Sequence, residues 1–215
     1  MGIKWRDFQM PKRLECDEAT YTDTYGKFSA EPFERGYGVT LGNSLRRILL
    51  SSIEGAAVTN VRFAQAQHEF TAIPGVAEDA TEIILNIKRL VLRSNSKTPK
   101  TISIKKNKKG NITAADIETD ETVEVINRDL HIAALTRDVD FSLEMEVAKG
   151  RGYYSAEFNK KEDQPIGLIA VDSIFSPVIK AAFSTENTRV GQRTDYDRLI
   201  LEIWTNGAMN PKDAL

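Results

Sequence analysis

The sequence has few of the features that mark secreted, membrane-spanning or strongly charged proteins. Its 215 residues include a single cysteine, Cys16, which excludes an internal disulfide and favours a reducing compartment. No apolar run approaches the ~20 residues that a transmembrane helix needs, and the amino terminus carries neither a secretory signal nor a myristoylation motif. A formal net charge of -2 argues against a chain that binds nucleic acid over its whole surface. We therefore predict a cytoplasmic protein without a membrane role.

The sequence also has few of the motifs and residue spacings that usually carry catalysis. The two histidines, His68 and His131, lie in different segments and in no metal-ligand spacing, so a structural role is predicted for both. The sequence contains no Gly-x-Ser-x-Gly elbow and no phosphate-binding glycine loop. Asp138 and Asp140 form the nearest carboxylate pair, but they fall on the polar face of a predicted strand. We predict no catalytic site, no metal and no cofactor.

Two short segments leave a nucleic-acid function open. Residues 150–154 place an arginine and two tyrosines between and after glycines, which is typical of a single-strand binding site or of a tight turn. The lysines within 105–109 could contact phosphate, or could simply form the solvated tip of a hairpin. A stand-alone nucleic-acid-binding module is therefore an alternative function, and an independent enzyme is a more distant one.

A helix is predicted over residues 38–52, with Gly55 as its stop. Four apolar side chains share one face of this helix and predict a core-facing stripe: Leu41, Leu45, Ile48 and Leu49. On the remaining surface, Leu50 lies between Arg46 and Arg47 on the helical wheel. That arrangement is typical of a solvated arginine face or of a protein interface, and the wheel leaves both open.

The rest of the chain shows one more long helical signal and several strands. Asp79 and Glu82 form a predicted capping box for a helix, which is followed directly by a predicted strand at residues 90–92. Residues 139–147 alternate apolar with polar side chains, which predicts an antiparallel sheet solvated on one side. Leu199, Leu201 and Ile203 repeat the pattern, alternating with Arg198, Glu202 and Trp204. Asn210 and Pro211 then predict the start of a further helix. Because barely one turn follows before Leu215, we expect this chain to be part of a longer one.

Specific residues closely resemble a known family. Residues 31–52 are similar to the signature of the amino-terminal domain of the bacterial RNA polymerase alpha subunit, and further matches follow in the same order along the chain. These further segments are 68–70, 73–76, 78–79, 81–88, 113–117, 150–153, 171–172, 176–178 and 188–195. The resemblance covers nearly the whole chain, and residues 93–111 match it poorly.

The resemblance implies an α+β fold in two subdomains. Residues 1–54 and 177–215 would form an α/β dimerisation subdomain with a truncated last helix, and residues 55–176 a mostly antiparallel β insert. It also implies a non-catalytic alpha subunit that homodimerises and scaffolds the beta and beta-prime subunits of a DNA-directed RNA polymerase, a nucleotidyltransferase complex. The family's carboxy-terminal DNA-binding domain is absent from the sequence, so DNA would be contacted only indirectly, through the holoenzyme.

The same resemblance assigns interface roles to individual residues. The dimer interface would include Leu41, Leu45, Ile48 and Leu49. The beta subunit would be contacted by Arg46, Arg47 and Leu50. The beta-prime subunit would be contacted by Lys88, Val171, Asp172 and Arg189.

Overall fold

The structure is a computed structural model that describes residues 8–66, 68–160 and 165–215. Over these residues the chain is mostly antiparallel β-sheet with few helices, in agreement with the predicted α+β class. The chain divides into two compact units. Unit 1 contains the described residues up to Ile53 together with Pro177–Leu215, and unit 2 contains Glu54–Ser176.

The elements are numbered in chain order. The strands are β1 (Glu15–Cys16), β2 (Tyr25–Phe33), β3 (Glu54–Phe63), β4 (Leu92–Ser94), β5 (Lys100–Lys106), β6 (Gly110–Thr113), β7 (Ile117–Glu118), β8 (Val123–Val125), β9 (His131–Leu135), β10 (Phe141–Arg151), β11 (Tyr153–Tyr154), β12 (Leu168–Ala170), β13 (Ser173–Ile174), β14 (Val178–Val190) and β15 (Arg193–Thr205). The α-helices are α1 (Tyr37–Ser51), α2 (Ala80–Ile87), α3 (Ala156–Asn159) and α4 (Pro211–Ala214), and a 3-10 turn spans Ala114–Asp116.

Unit 1 is an antiparallel sheet in the order β1-β2-β15-β14, with helices against it. Helix α1 packs on β14 and β15, and α4 packs on β15 and β2. Leu199, Leu201 and Ile203 are buried as predicted, but the alternation is broken at Ile200, which is also buried at 8% exposure. Strand alternation therefore supplies the apolar face that the helices cover.

Unit 2 is organised around the long strand β10. This strand pairs antiparallel with β3 on one side and β5 on the other, in a larger sheet ordered β7-β5-β10-β3-β4-β8, with β12 also paired to β3. The predicted alternation is confirmed, since Phe141, Leu143 and Met145 are buried while Glu144 pairs with Arg62 across the neighbouring strand at 2.6 Å. The ion pair lies on the solvated face of the sheet.

Helix α2 begins with the predicted capping box. The Glu82 backbone N–H donates to Asp79 Oδ1 at 2.7 Å, and the Asp79 N–H donates to Glu82 Oε2 at 3.4 Å. The strand predicted at residues 90–92 is wrong at its start, because the chain turns first and β4 begins only at Leu92. Hydrogen bonds from Arg89 N to the Asn86 carbonyl and from Leu90 N to the Ile87 carbonyl form this turn.

The lysine-rich segment at residues 105–110 is not a hairpin tip. Strand β5 pairs with β10 and β7, whereas β6, which follows the segment, pairs with β9. The segment therefore connects two different sheets. Which strand each side of the segment pairs with depends on contacts that are distant in the sequence.

Of the remaining turn and helix predictions, one is wrong and two are confirmed. Gly55 does not stop α1, which ends at Ser51, and instead lies in β3. Helix α4 begins after Asn210 with Pro211 in its first turn, as predicted, although the Asn210 side chain makes no capping hydrogen bond. The turn predicted within residues 150–154 is present, with Gly152 at φ 66° between β10 and β11.

Candidate functional site

Two glycines lie on the side of helix α1 that packs against its sheet. Gly38 and Gly42 are buried on the side of the helix that packs against β14 and β15. A Cβ atom on Gly42 would lie 2.5 Å from Phe183 Cδ2 and 2.8 Å from Leu199 Cδ1. Such short distances mean that the helix backbone approaches the sheet as closely as glycine allows. The buried side of α1 is therefore centred on its glycines and Leu49.

This close approach rotates the helix relative to the predicted stripe. Leu49 is 2% exposed and belongs to the core, and Leu41 and Leu45 are half-buried. Ile48, which the wheel placed with them in the core-facing stripe, is 51% exposed. Within this chain, the prediction that Ile48 faces the core is wrong. A helical wheel of hydrophobic residues gives no weight to the two glycines, which lie on the side of α1 that packs against the sheet.

An apolar hollow lies beside the half-buried leucines of α1. It has a volume of about 340 Å³ and is lined by Leu41 and Leu45, by apolar side chains of β2 and β15, and by residues 11–14 and Leu215. Those strand residues are Phe28, Ala30, Phe33, Leu199 and Leu201. The surface next to α1 is therefore more apolar than a solvated helix requires.

A carboxylate from a distant strand caps the start of α1. Asp197 on β15 is 8% exposed, and its Oδ2 accepts hydrogen bonds from Gly36 N at 2.8 Å and Gly38 N at 3.1 Å. The helix has no side-chain cap of its own, because its N-cap residue is Gly36. A negative charge at this end also complements the helix dipole. Sequence reasoning missed Asp197, since its partners are 161 and 159 residues away.

The three residues assigned to the beta contact differ in their surroundings. Arg47 is exposed, and its guanidinium forms no hydrogen bond or ion pair with the described part of the chain. Arg46 turns toward β14, where its Nε donates to the Ala181 carbonyl at 3.0 Å. Leu50 is half-buried against the unit 1 core and does not face solvent beside the arginines as the wheel predicts. Of the three, Arg47 is the most available to a partner.

Lys88 and Asp172 are brought together in unit 2. Lys88 at the end of α2 donates from Nζ to Asp172 Oδ2 at 2.8 Å, and both side chains are about one-third exposed or less, at 26% and 33%. The hydrogen bond from Lys88 and that from the Ala156 N–H hold the pKa of Asp172 below its ordinary value, against the effect of burial. The pair links two segments that are 84 residues apart in the sequence.

The side chains of the other two residues assigned to the beta-prime contact do not join this ion pair. Val171 is 2% exposed and belongs to the core of unit 2, so its side chain faces the interior. Arg189 lies in unit 1 near the turn between β14 and β15, where its Nε donates to the Gly191 carbonyl at 2.7 Å. Only the side chains of Lys88 and Asp172 in this group therefore meet at the surface of unit 2.

The histidines have structural partners. His131 Nε2 lies 2.7 Å from Glu78 Oε1, and the second oxygen of Glu78 accepts from the Ala134 N–H at 2.8 Å. His68 contacts the Thr71 hydroxyl, with 3.1 Å between Nδ1 and Oγ1. Within the described ranges, no group of three or more His, Cys, Asp or Glu residues is arranged to hold a metal ion.

The basic segment is partly neutralised by its neighbours. Lys106 Nζ donates to both carboxylate oxygens of Asp116, at 2.9 and 3.0 Å. The Lys109 N–H donates to Asp138 Oδ1 at 2.8 Å. These contacts give the segment a local structural role.

None of the described helices is long and apolar enough to cross a bilayer.

Comparison with known proteins identifies relatives for the whole chain. The family model described as the RNA polymerase Rpb3/RpoA insert domain matches residues 61–176. The DNA-directed RNA polymerase subunit alpha of Rhodopirellula baltica is 52% identical over 215 residues, which are 100% of this chain and 65% of the relative. The corresponding subunit of Geobacter metallireducens is 49% identical over 215 residues, again 100% of this chain and 63% of the relative.

A third relative gives the same picture. The DNA-directed RNA polymerase subunit alpha of Moorella thermoacetica is 54% identical over 209 residues, which are 97% of this chain and 66% of the relative. The chain therefore spans somewhat less than two-thirds of the length of these relatives.

Proposed function

This chain belongs to the RNA polymerase Rpb3/RpoA insert domain family, and on that premise we propose that it is a non-catalytic alpha subunit of a DNA-directed RNA polymerase. In this role it forms a homodimer and assembles the beta and beta-prime subunits in the cytoplasm. The observation that carries the proposal is an identity of about half to relatives of that name over nearly the whole chain.

We assign dimerisation to unit 1 and the insert subdomain to unit 2. Leu41, Leu45 and Ile48 would form the dimer contact around the apolar hollow, with Leu49 supporting them from the core. The exposure of Ile48, at 51%, supports this assignment because a large aliphatic side chain gains from burial in a partner. The hollow beside Leu41 and Leu45 offers a complementary apolar surface.

The beta subunit would dock on the arginine side of α1. Arg47 is the central residue in this assignment, since it is exposed and since arginine is enriched among residues that dominate interface energetics. Arg46 would help to fix the helix through its bond to the Ala181 carbonyl. Leu50 would contribute by packing α1 against its own core.

The beta-prime subunit would dock near Lys88 and Asp172. Val171 would support this surface from the interior, where its side chain is buried. Arg189 would contribute from unit 1, at the turn between β14 and β15.

Replacing Arg47 tests the proposal. We expect Arg47→Ala to leave the fold and the homodimer intact and to weaken beta-subunit retention at least about tenfold, because a central interface arginine typically contributes more than ~1.4 kcal/mol. The measurement is a quantitative pull-down of purified beta by the tagged chain. Arg128→Ala removes another exposed arginine, from unit 2, and serves as the matched control. Normal beta retention by Arg47→Ala would disprove the role of Arg47.

A further inference from the structure

Helix α1 is attached to its sheet by hydrogen bonds at two heights. At its start, Asp197 Oδ2 on β15 accepts from the N–H groups of Gly36 and Gly38. About two turns later, Arg46 Nε donates to the Ala181 carbonyl of β14. Asp197 is 8% exposed, whereas the Arg46 bond is only partly buried. Because burial strengthens a hydrogen bond, Asp197 is the stronger constraint on the position of the helix.

The start of α1 fits this carboxylate closely. Gly36 is the N-cap residue and has φ 83°, a left-handed conformation that favours glycine. A Cβ atom on Gly38 would lie 3.0 Å from Asp197 Cβ and 3.1 Å from its Oδ2. One glycine therefore supplies the conformation of the turn into the helix, and the other allows the close approach. Together with Asp197 they fix where along β15 the helix begins.

The same attachment fixes which side of α1 faces outward. Gly38 and Gly42 are buried on the side that packs against the sheet. Successive helical residues are rotated by about 100°, so the apolar row of α1 falls on one flank of the helix. This row consists of Leu41, Leu45 and Ile48, and its first two members line the apolar hollow. A displaced helix start would therefore move the whole row relative to the hollow.

We propose that Asp197 is a positioning residue for the dimer contact. Its hydrogen bonds to the start of α1 set the height and rotation at which the helix presents the apolar row to a second copy of the chain. The inference rests on the proposed function, in which that row forms the dimer contact. Two identical chains that meet through one twofold interface use the same surface of each. A displacement of α1 therefore enters the interface twice, which makes dimer affinity a sensitive measure of helix position.

Removing the carboxylate is the first test. Asp197→Ala should weaken dimerisation at least about tenfold, measured by sedimentation equilibrium at a temperature at which circular dichroism shows each variant to be folded. Asp195→Ala removes another carboxylate from the same strand, one that pairs with Arg193 at 3.1 Å. This control should keep dimer affinity within about twofold of the unmodified chain. Equal dimer affinities for the two variants would overturn the proposal.

The second test separates position from charge. Asp197→Asn loses the charge but keeps an oxygen that can accept from both N–H groups, so its dimer affinity should stay within about threefold. Asp197→Glu keeps the charge but inserts a methylene where Gly38 already lies against the side chain, so it should lose at least about fivefold. The opposite order, with full affinity for Asp197→Glu and loss for Asp197→Asn, would show that charge and not position matters.

A third variant separates position from stability. Ile203→Val trims a fully buried side chain further along β15. It should lower the thermal unfolding midpoint but leave dimer affinity within about twofold. If Ile203→Val weakens the dimer as much as Asp197→Ala does, loss of stability explains both results and the positioning role is wrong.

The unmodified chain distinguishes failure of this inference from failure of the proposed function. If that chain stays monomeric at every concentration, the proposed homodimer is wrong and the inference is wrong with it. If it forms a dimer whose affinity no Asp197 variant changes, only the inference is wrong.

Discussion

Three carboxylates connect residues that are far apart in the sequence. Asp197 binds the first N–H groups of α1, Asp172 joins α2 to the β11–α3 region, and Glu78 joins its own loop to β9. Each accepts hydrogen bonds from at least one main-chain N–H, which would otherwise need another partner on burial. At the scale of single residues, acidic side chains therefore hold together parts of the chain that are distant in the sequence.

Glu78 offers a test of this principle through pH. Burial acts to raise the pKa of Glu78, but the hydrogen bonds from His131 and from the Ala134 N–H outweigh it, so that the pKa lies below its ordinary value of 4.5. A carboxyl group with a lowered folded-state pKa stabilises the fold above its unfolded-state pKa. That contribution is lost as the pH falls through the folded-state pKa.

We expect Glu78→Gln to lower the free energy of unfolding by about 1–3 kcal/mol at pH 7, because it removes a charged acceptor from a largely buried position. As the pH falls from 4.5 through the lower folded-state pKa of Glu78, the difference from the unmodified chain should shrink, since the Glu78 side chain also becomes neutral. Urea unfolding at a series of pH values provides the measurement, with the exposed Glu121→Gln as control. A difference that stays constant down to pH 3 would contradict this account.

At the scale of elements, glycine decides how α1 packs. The sequence predicted the helix and its amphipathic character, because apolar spacing is a local property of the chain. It misplaced Ile48 and Leu50, because a wheel of hydrophobic residues gives no indication that Gly38 and Gly42 are at the closest approach to the sheet. The capping box of α2 was predicted in full, since both of its members lie within one turn.

Gly42→Ala tests the glycine packing. Alanine favours a helix by up to ~1 kcal/mol over glycine, yet here its Cβ would collide with the Phe183 ring at 2.5 Å. We expect a net loss of about 1–3 kcal/mol from the forced displacement and a lower thermal unfolding midpoint. Asn43→Ala, at an exposed position of the same helix, should not lower it. A midpoint raised by both substitutions would show that the helix does not approach the sheet this closely.

At the scale of the whole molecule, the proposed homodimer can be tested through the exposed side of α1. Ile48→Glu places a charge where the dimer would bury an apolar side chain, and it should weaken dimerisation more than about tenfold because an unpaired charge resists desolvation. Sedimentation equilibrium over a range of protein concentrations would measure this.

Two controls accompany the dimer experiment. Ile179→Glu introduces the same charge at an isoleucine that is also exposed, at 67% against 51% for Ile48, and it should leave the dimer affinity unchanged. Circular dichroism should show that both variants keep the fold. An unchanged dimer affinity for Ile48→Glu would mean that this side of α1 is not the dimer contact.

The sequence by itself determined the α+β class, the helix at residues 38–52, the alternating strands and the family resemblance. These depend on residue spacing over a few turns or on motifs that can be read in order. Only the tertiary structure decided that β6 pairs with β9, that Asp197 caps α1, and that Lys88 and Ala156 share the carboxylate of Asp172. Such contacts join residues tens to more than a hundred positions apart, and they are fixed by the packing of whole elements, which local periodicity does not encode.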